Sequence, residues 1–497
     1  MIGPGKLFKK IGLSSSGHLR LAVDIGSLST SVAISRVLLL VRDLILAGWL
    51  GPTLYGVWTQ MVVVFNYSLQ LPLGFQNAMS REVPYYQGQG NHQRVKTIQD
   101  IVFVVTLSTA TLAGLGVLLA YVFFGYRVLD LPLPALLVVS GSIIAQQIFG
   151  FFSILLRAHQ RFQTFGIGFS VVALLSLVLA VIIAPRWGAN GAAFAQGLAY
   201  TLVILYWLPR AEFQPSKVRF LLKEFWQLAR LAIPLFLVSM TSLLIVSIDR
   251  LFIAFNYSKE QIGNYGLAFL ISQSISLLIT PVIQALSPRL MEAYGRCRTP
   301  RLIKHYLVFL VVVMGSGIAL FIGGLYLFVG DLLPLLLPRF APAVEPARIL
   351  LIGSAFSAVA GGASIFLVSI NKQSQVLKIQ AGVIVLQAIS LSMVVHLQGS
   401  INYIAGIMAL SYILYATLVL FWAGLSVEAS AWQRMGLWLK SCLPVFYVLL
   451  SAMLISQWRV QPDASAFLTI GIHLLTWGLL MLPVCIFLIW SLRKALV

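Results

Sequence analysis

Thr164-Phe-Gly-Ile-Gly-Phe-Ser-Val-Val-Ala-Leu-Leu-Ser-Leu-Val-Leu-Ala-Val-Ile-Ile-Ala184 runs for 21 residues without an ionisable side chain. Wound as an α-helix at 1.5 Å per residue, it is about 31 Å long, close to the thickness of a bilayer's hydrocarbon core. Lipid offers no partner for a bare backbone N–H or C=O, so a segment of this kind must close its hydrogen bonds on itself, as a helix does. A membrane β-barrel would show short segments of alternating polarity instead, and this run is apolar on every face. Working outward, comparable runs lie near 21–46, 55–79, 98–122, 133–156, 189–208, 231–254, 262–284, 305–329, 346–370, 376–396, 402–423, 437–457 and 465–490. The sequence therefore predicts an all-α polytopic membrane protein of about fourteen transmembrane helices.

Composition agrees. Hydrophobic residues make up 59% of the 497, charged residues 10%, and the mean hydropathy is +0.94. Soluble domains carry about 25% charged residues, so lipid is the solvent this chain fits. The net charge of +20 does not point to nucleic acid, which calls for Lys and Arg gathered on one exposed domain. Here twenty-five of the 34 fall before the first run or in alternate loops, against six in the other loops. That bias places both termini in the cytoplasm of an inner (cytoplasmic) membrane. The basic start, Lys6 to Lys10, is not followed by a short apolar core with a cleavage site, so the first run is expected to stay as a span. Cys297, Cys442 and Cys485 are too scattered for a disulfide framework or a zinc site.

An internal repeat organises the chain. Leu44-Ile45-Leu46-Ala47 ahead of Tyr55-Gly56 resembles Leu251-Phe252-Ile253-Ala254 ahead of Tyr265-Gly266, and Pro72 pairs with Pro281. Both copies run in the same direction, which predicts two six-helix bundles related by pseudo-symmetry about an axis along the membrane normal. The expected division is 1–210, 211–425 and an additional helix pair at 426–497.

The first run holds the candidate site. Arg36 lies near its middle, where a charge costs about 2.5–3.5 kcal/mol even on lenient insertion scales, so the helix must line an aqueous cavity or pair internally. Arg36 and Asp43 return to nearly the same face, about 10 Å apart along the axis. A guanidinium fork suits phosphate oxygens, which makes Arg36 and Arg42 candidate ligands of an anionic headgroup. Arg42 and Asp43 equally fit interfacial residues that snorkel to the headgroups, and so does the pair Asp249-Arg250 at the matching end of the second half. Neighbours on a helix point about 100° apart, so Asp249 and Arg250 should find separate partners. Arg250 joins the candidate substrate ligands, and Asp43 and Asp249 are candidate coupling or orienting carboxylates. Gln146, Gln147 and Gln273 could line a sugar path, or could be interhelical glue. His396 and His473 have no evident partner and fit packing or interface roles. Neither a Walker glycine loop nor a zinc-protease or nucleophile-elbow motif occurs, so no cofactor, metal or enzymatic step is expected.

Gly51-Pro-Thr-Leu-Tyr-Gly-Val-Trp58, then Leu73-Gly-Phe-Gln-Asn77 and Ser80-Arg-Glu-Val-Pro-Tyr-Tyr86, resemble the polysaccharide transporters. These are the O-antigen-type flippases of the multidrug/oligosaccharidyl-lipid/polysaccharide exporter superfamily. Ile248-Asp-Arg-Leu251 with Gly263-Asn-Tyr-Gly266 resembles their second half. The resemblance implies two six-helix bundles around a cationic cavity. It also implies a polyprenyl-pyrophosphate-linked oligosaccharide moved from the cytoplasmic to the outer leaflet, with membrane lipids, a polysaccharide polymerase and glycosyltransferases as partners. Ser35-Arg-Val-Leu38 with Arg42-Asp43 is similar to the first helix of lipid II flippases, whose substrate is the alternative. A multidrug antiporter fits less well, because cavity arginines repel cationic drugs. A membrane-embedded sugar polymerase or ligase would need a larger outer loop with acid/base groups than these loops provide.

Overall fold

The computed structural model describes residues 15–124, 133–211, 213, 220–275, 290, 291, 293–295, 299–427, 430–458 and 466–488, and every regular element among them is helical. The basic start at Lys6 to Lys10, the repeat position Pro281 and Cys297 lie outside the described residues. In chain order the helices are α1 (Ser15–Ser68), α2 (Phe75–Gly88), α3 (His92–Phe124), α4 (Leu133–Ala158), α5 (Phe162–Trp207), α6 (Leu222–Asn256) and α7 (Lys259–Gln273). After short helical turns come α8 (Met314–Leu336), α9 (Val344–Ser369), α10 (Gln373–His396), α11 (Ile401–Val427), α12 (Ala431–Gln457) and α13 (Ala466–Leu480).

Two of these are far longer than a bilayer is thick. At 46 residues α5 would extend about 69 Å if straight. It is broken at Gly188 (φ 60, ψ −142), three residues after Pro185, where the sequence places the boundary between two spans. The 54-residue α1 is broken the same way at Gly51 (φ 66, ψ 173), ahead of Pro52. Both breaks need a positive φ, which a residue without Cβ adopts at little cost. Among the described residues nine helices are long and apolar enough to cross a membrane. They become ten when the bent pair Gly471–Leu480 and Leu482–Leu488 (45°) is taken as one span. The expected fourteen exceeds that number; α5 enters it as one helix although its break separates two of the predicted runs.

The chain forms two compact units whose borders differ from the expected 210/211 division. The first comprises residues up to Leu50 and Met61–Ser239, the second Gly51–Gln60 and Met240–Val497. The final helix pair belongs to the second unit, and α6 is shared, its first half in one and its second half in the other.

Aromatic packing holds the first unit. Trp207 stacks on Phe149 at 4.8 Å and donates its indole N–H to the Thr164 carbonyl at 3.1 Å, lying in a space that Gly168 leaves open. Gln147, fully buried, donates to the Ser68 carbonyl (3.1 Å) and accepts from Thr109 (3.2 Å), tying α4 to α1 and α3. At the start of α6, Arg94 pairs with Glu224 and Phe225 stacks on Phe75 at 5.2 Å.

In the second unit the two repeat motifs meet each other. A Cβ on Gly56 would overlap the Lys259 carbonyl, one on Gly263 the Pro52 carbonyl, and one on Gly266 the Thr59 side chain. This is the small-residue crossing by which helices approach closely where no hydrophobic effect drives them together. Gln60 adds a bond from its amide to the Ala254 carbonyl (2.9 Å), and Tyr55 meets the edge of Phe340. On the other side of the unit Trp477 of α13 covers Gly323 and Gly324 of α8. His473 is far from lone: its Nδ1 lies 2.8 Å from Asp331 and its Nε2 3.1 Å from the Trp458 carbonyl.

Candidate functional site: the first helix and the buried acid of the second unit

The first helix rests on α5 along a seam of small polar residues. Ser31 faces Gly166, and Ser35, fully buried, bonds back to the Ser31 carbonyl (2.6 Å) and lies 3.3 Å from the Ser170 hydroxyl. With Ser35 turned into the bundle, the next position is rotated about 100° out of it. Arg36 occupies that position, exposed, with no hydrogen bond, ion pair or ring contact among the described residues. It sits 15 residues before the Gly51 break, about 22 Å along the axis. A guanidinium is permanently charged and presents its donors as a planar fork.

Arg42 is placed differently. It is 7% exposed, and its guanidinium is spent within the unit. Nε and Nη2 both donate to Asp43 Oδ1 (3.1 and 2.9 Å), and Nη1 donates to Gln196 Oε1 on α5, with the Ser176 hydroxyl at 3.5 Å. The structure thus gives Arg42 an internal pair within the unit. Asp43 is half-buried in the same pair.

Asp249 and Arg250 part company, as their spacing requires. Asp249, with no exposure, accepts from the Tyr265 hydroxyl at 2.5 Å, and its other carboxylate oxygen has no hydrogen-bond partner among the described residues. Arg250 lies over the Phe269 ring at 3.8 Å, its Nε buried and unbonded. Below Asp249, Gln387 donates to the Ile245 carbonyl (3.2 Å), and Gln380 connects Thr241 to Tyr415 (3.2 Å each). A column of polar groups therefore follows α6 through the unit, one to two helical turns apart.

Of the three candidate amides, Gln147 is committed to the helix ties described above. Gln146 keeps a buried, unbonded Oε1, and Gln273 is half-buried at the end of α7. His396 is exposed. Among the described residues no cluster of three His, Cys, Asp or Glu could hold a metal. Sequence reasoning missed Gln196 and Tyr265. The first was visible as a lone amide in the small-residue run Gly191-Ala-Ala-Phe-Ala-Gln-Gly197, the second only as part of the repeat.

Comparison with known proteins now has a geometry to meet. By fold the chain is similar to lipid II flippase MurJ in an inward closed conformation, with 15% identity and a TM-score of 0.68 over 91% of this chain and 97% of that one. It is also similar to an inward-facing multidrug resistance MATE family transporter of the MOP superfamily, at 15% identity and a TM-score of 0.63 over 81% and 95%. A third likeness is to a Vibrio cholerae MATE transporter, at 18% identity and a TM-score of 0.56 over 86% and 99%. No curated protein matches the chain by sequence. The family model described as polysaccharide biosynthesis protein matches residues 21–294, more than half the chain and all of the candidate site around Arg36. The chain is a multi-pass membrane protein with the fold of that superfamily, and it belongs to the polysaccharide biosynthesis protein family.

Proposed function

We propose that this protein is a flippase, not an enzyme, and that it carries a polyprenyl-pyrophosphate-linked oligosaccharide from the cytoplasmic to the outer leaflet for surface polysaccharide such as O-antigen. The observation that carries this is Arg36, an exposed guanidinium on the first helix with no bonding partner among the described residues. With no internal partner it calls for an aqueous cavity, and there a pyrophosphate presents the oxygens its fork matches. Family membership supports the sugar part of the substrate. In the first unit Gln146 is the amide left to contact it; in the second, Gln273 and Arg250 are the groups whose chemistry suits the same substrate. The unpartnered oxygen of Asp249 suits a coupling proton or cation, and Asp43 serves to orient Arg42.

The excess of Lys and Arg in alternate loops supports cytoplasmic termini in the inner membrane. Glycosyltransferases that build the substrate and a polymerase that consumes it are the fitting partners. The test is complementation. The chain should restore surface polysaccharide to a strain lacking its O-antigen flippase and should not rescue a strain lacking its lipid II flippase. A reporter fused after Val497 should be active only in the cytoplasm. Rescue of the lipid II strain alone would move the substrate to the peptidoglycan precursor.

A further inference from the structure

Arg42 and Asp43 are neighbours in sequence, and neighbouring side chains on a helix diverge by about 100°. The helix itself does not bring them together. Their pairing, with two guanidinium nitrogens on one carboxylate oxygen, needs something that holds the fork in place from outside. That something is Gln196, whose Oε1 takes Nη1 from across the unit, 154 residues away. Arg42 offers only donors, so the carbonyl end of Gln196 must face it. Ser176 at 3.5 Å is a weak substitute.

What this arrangement controls is Arg36. Asp43 and Arg36 share one flank of the helix about 10 Å apart. A carboxylate left unpaired on that flank would neutralise the field in which Arg36 meets an anion. We infer that Gln196 is a positioning residue for anion selection: by clamping Arg42 onto Asp43 it closes one ion pair inside the bundle and leaves Arg36 as free positive charge. This rests on the reading of Arg36 as the pyrophosphate ligand, and it assigns specificity to a residue buried away from the substrate.

The experiment measures binding of undecaprenyl pyrophosphate to the purified full-length protein in detergent by calorimetry, with thermal stability recorded for each variant. Gln196→Glu changes one polar atom and keeps the shape. It gives Arg42 two competing carboxylates and so releases Asp43's charge to the flank of Arg36. Affinity should fall on the order of tenfold, the scale set by one charge at ~10 Å in an effective dielectric of about 20. Asp43→Asn combined with Gln196→Glu puts the introduced carboxylate in Asp43's place as an acidic partner of Arg42. The charge balance is then restored, so affinity should return to within about threefold of the wild type. Mere structural damage at Gln196 would not be repaired by a second substitution on another helix. Arg36→Ala is run beside them. Loss of binding in Arg36→Ala with wild-type binding in Gln196→Glu overturns the role of Gln196 alone. A Gln196→Glu defect that persists in the double variant also overturns it. Wild-type binding in Arg36→Ala overturns the reading on which the inference rests.

Discussion

Arg36→Ala should abolish surface polysaccharide in the complemented strain while the protein remains in the membrane at near-normal abundance. Nothing inside the unit leans on this guanidinium among the described residues, so its removal leaves no buried group unpaired. Truncating it removes a permanent charge and opens no cavity, since the side chain is exposed. Arg36→Lys keeps the charge but loses the bidentate fork, and partial activity at best is expected. A packing role would give another pattern, in which Arg36→Ala lowers abundance and Arg36→Lys restores abundance and function together. Quantifying membrane abundance beside surface polysaccharide separates the two. Arg42→Ala contrasts with both. It orphans Asp43 inside the bundle, so abundance should drop with activity.

The second large effect is structural. Gly56→Leu and Gly263→Leu should each reduce the folded protein to a small fraction of the wild type. Each side chain would have to occupy space held by a backbone carbonyl of the facing segment, Lys259 for Gly56 and Pro52 for Gly263. Backbone cannot move aside as a rotamer can, so the crossing must separate. Overpacking of this kind costs about 3 kcal/mol or more, a large share of a marginally stable fold. The same separation forfeits the bond from Gln60 to the Ala254 carbonyl. Gly88→Ala, at a position with open space around it, is the control and should express normally. Fluorescence-detected size-exclusion of the tagged variants reads the outcome. Monodisperse Gly263→Leu at wild-type yield would mean that the crossing does not hold the second unit together.

How much of this the chain disclosed follows a physical rule. Hydropathy reports depth in the membrane, and whatever depends on depth was legible. The apolar runs read as helices, and the breaks at Gly51 and Gly188 fall in the gaps left between runs. The repeat also named residues that later mattered, since Gly56 packs on Gly263 and Gly266 on Thr59 for want of side chains at the glycines. Rotation about the helix axis is what hydropathy leaves out. Arg36 and Arg42 look alike in sequence, yet Ser35 turned inward sends one out of the bundle, and Gln196 draws the other into it. His473 read as lone because its acid, Asp331, lies 142 residues away. The membership of residues 51–60 in the second unit was likewise invisible, because it depends on which helix a segment touches and not on how apolar it is.

The most direct test of the central claim is transfer by the purified protein alone. Proteoliposomes loaded with a fluorescent polyprenyl-pyrophosphate oligosaccharide in the inner leaflet are exposed to a membrane-impermeant glycosidase, without nucleotide. Wild-type vesicles should release the sugar label at a rate that scales with protein density, and Arg36→Ala vesicles at matched density should release it no faster than protein-free ones. Equal release from the two proteins, or none from the wild type at any ion gradient, would contradict the account.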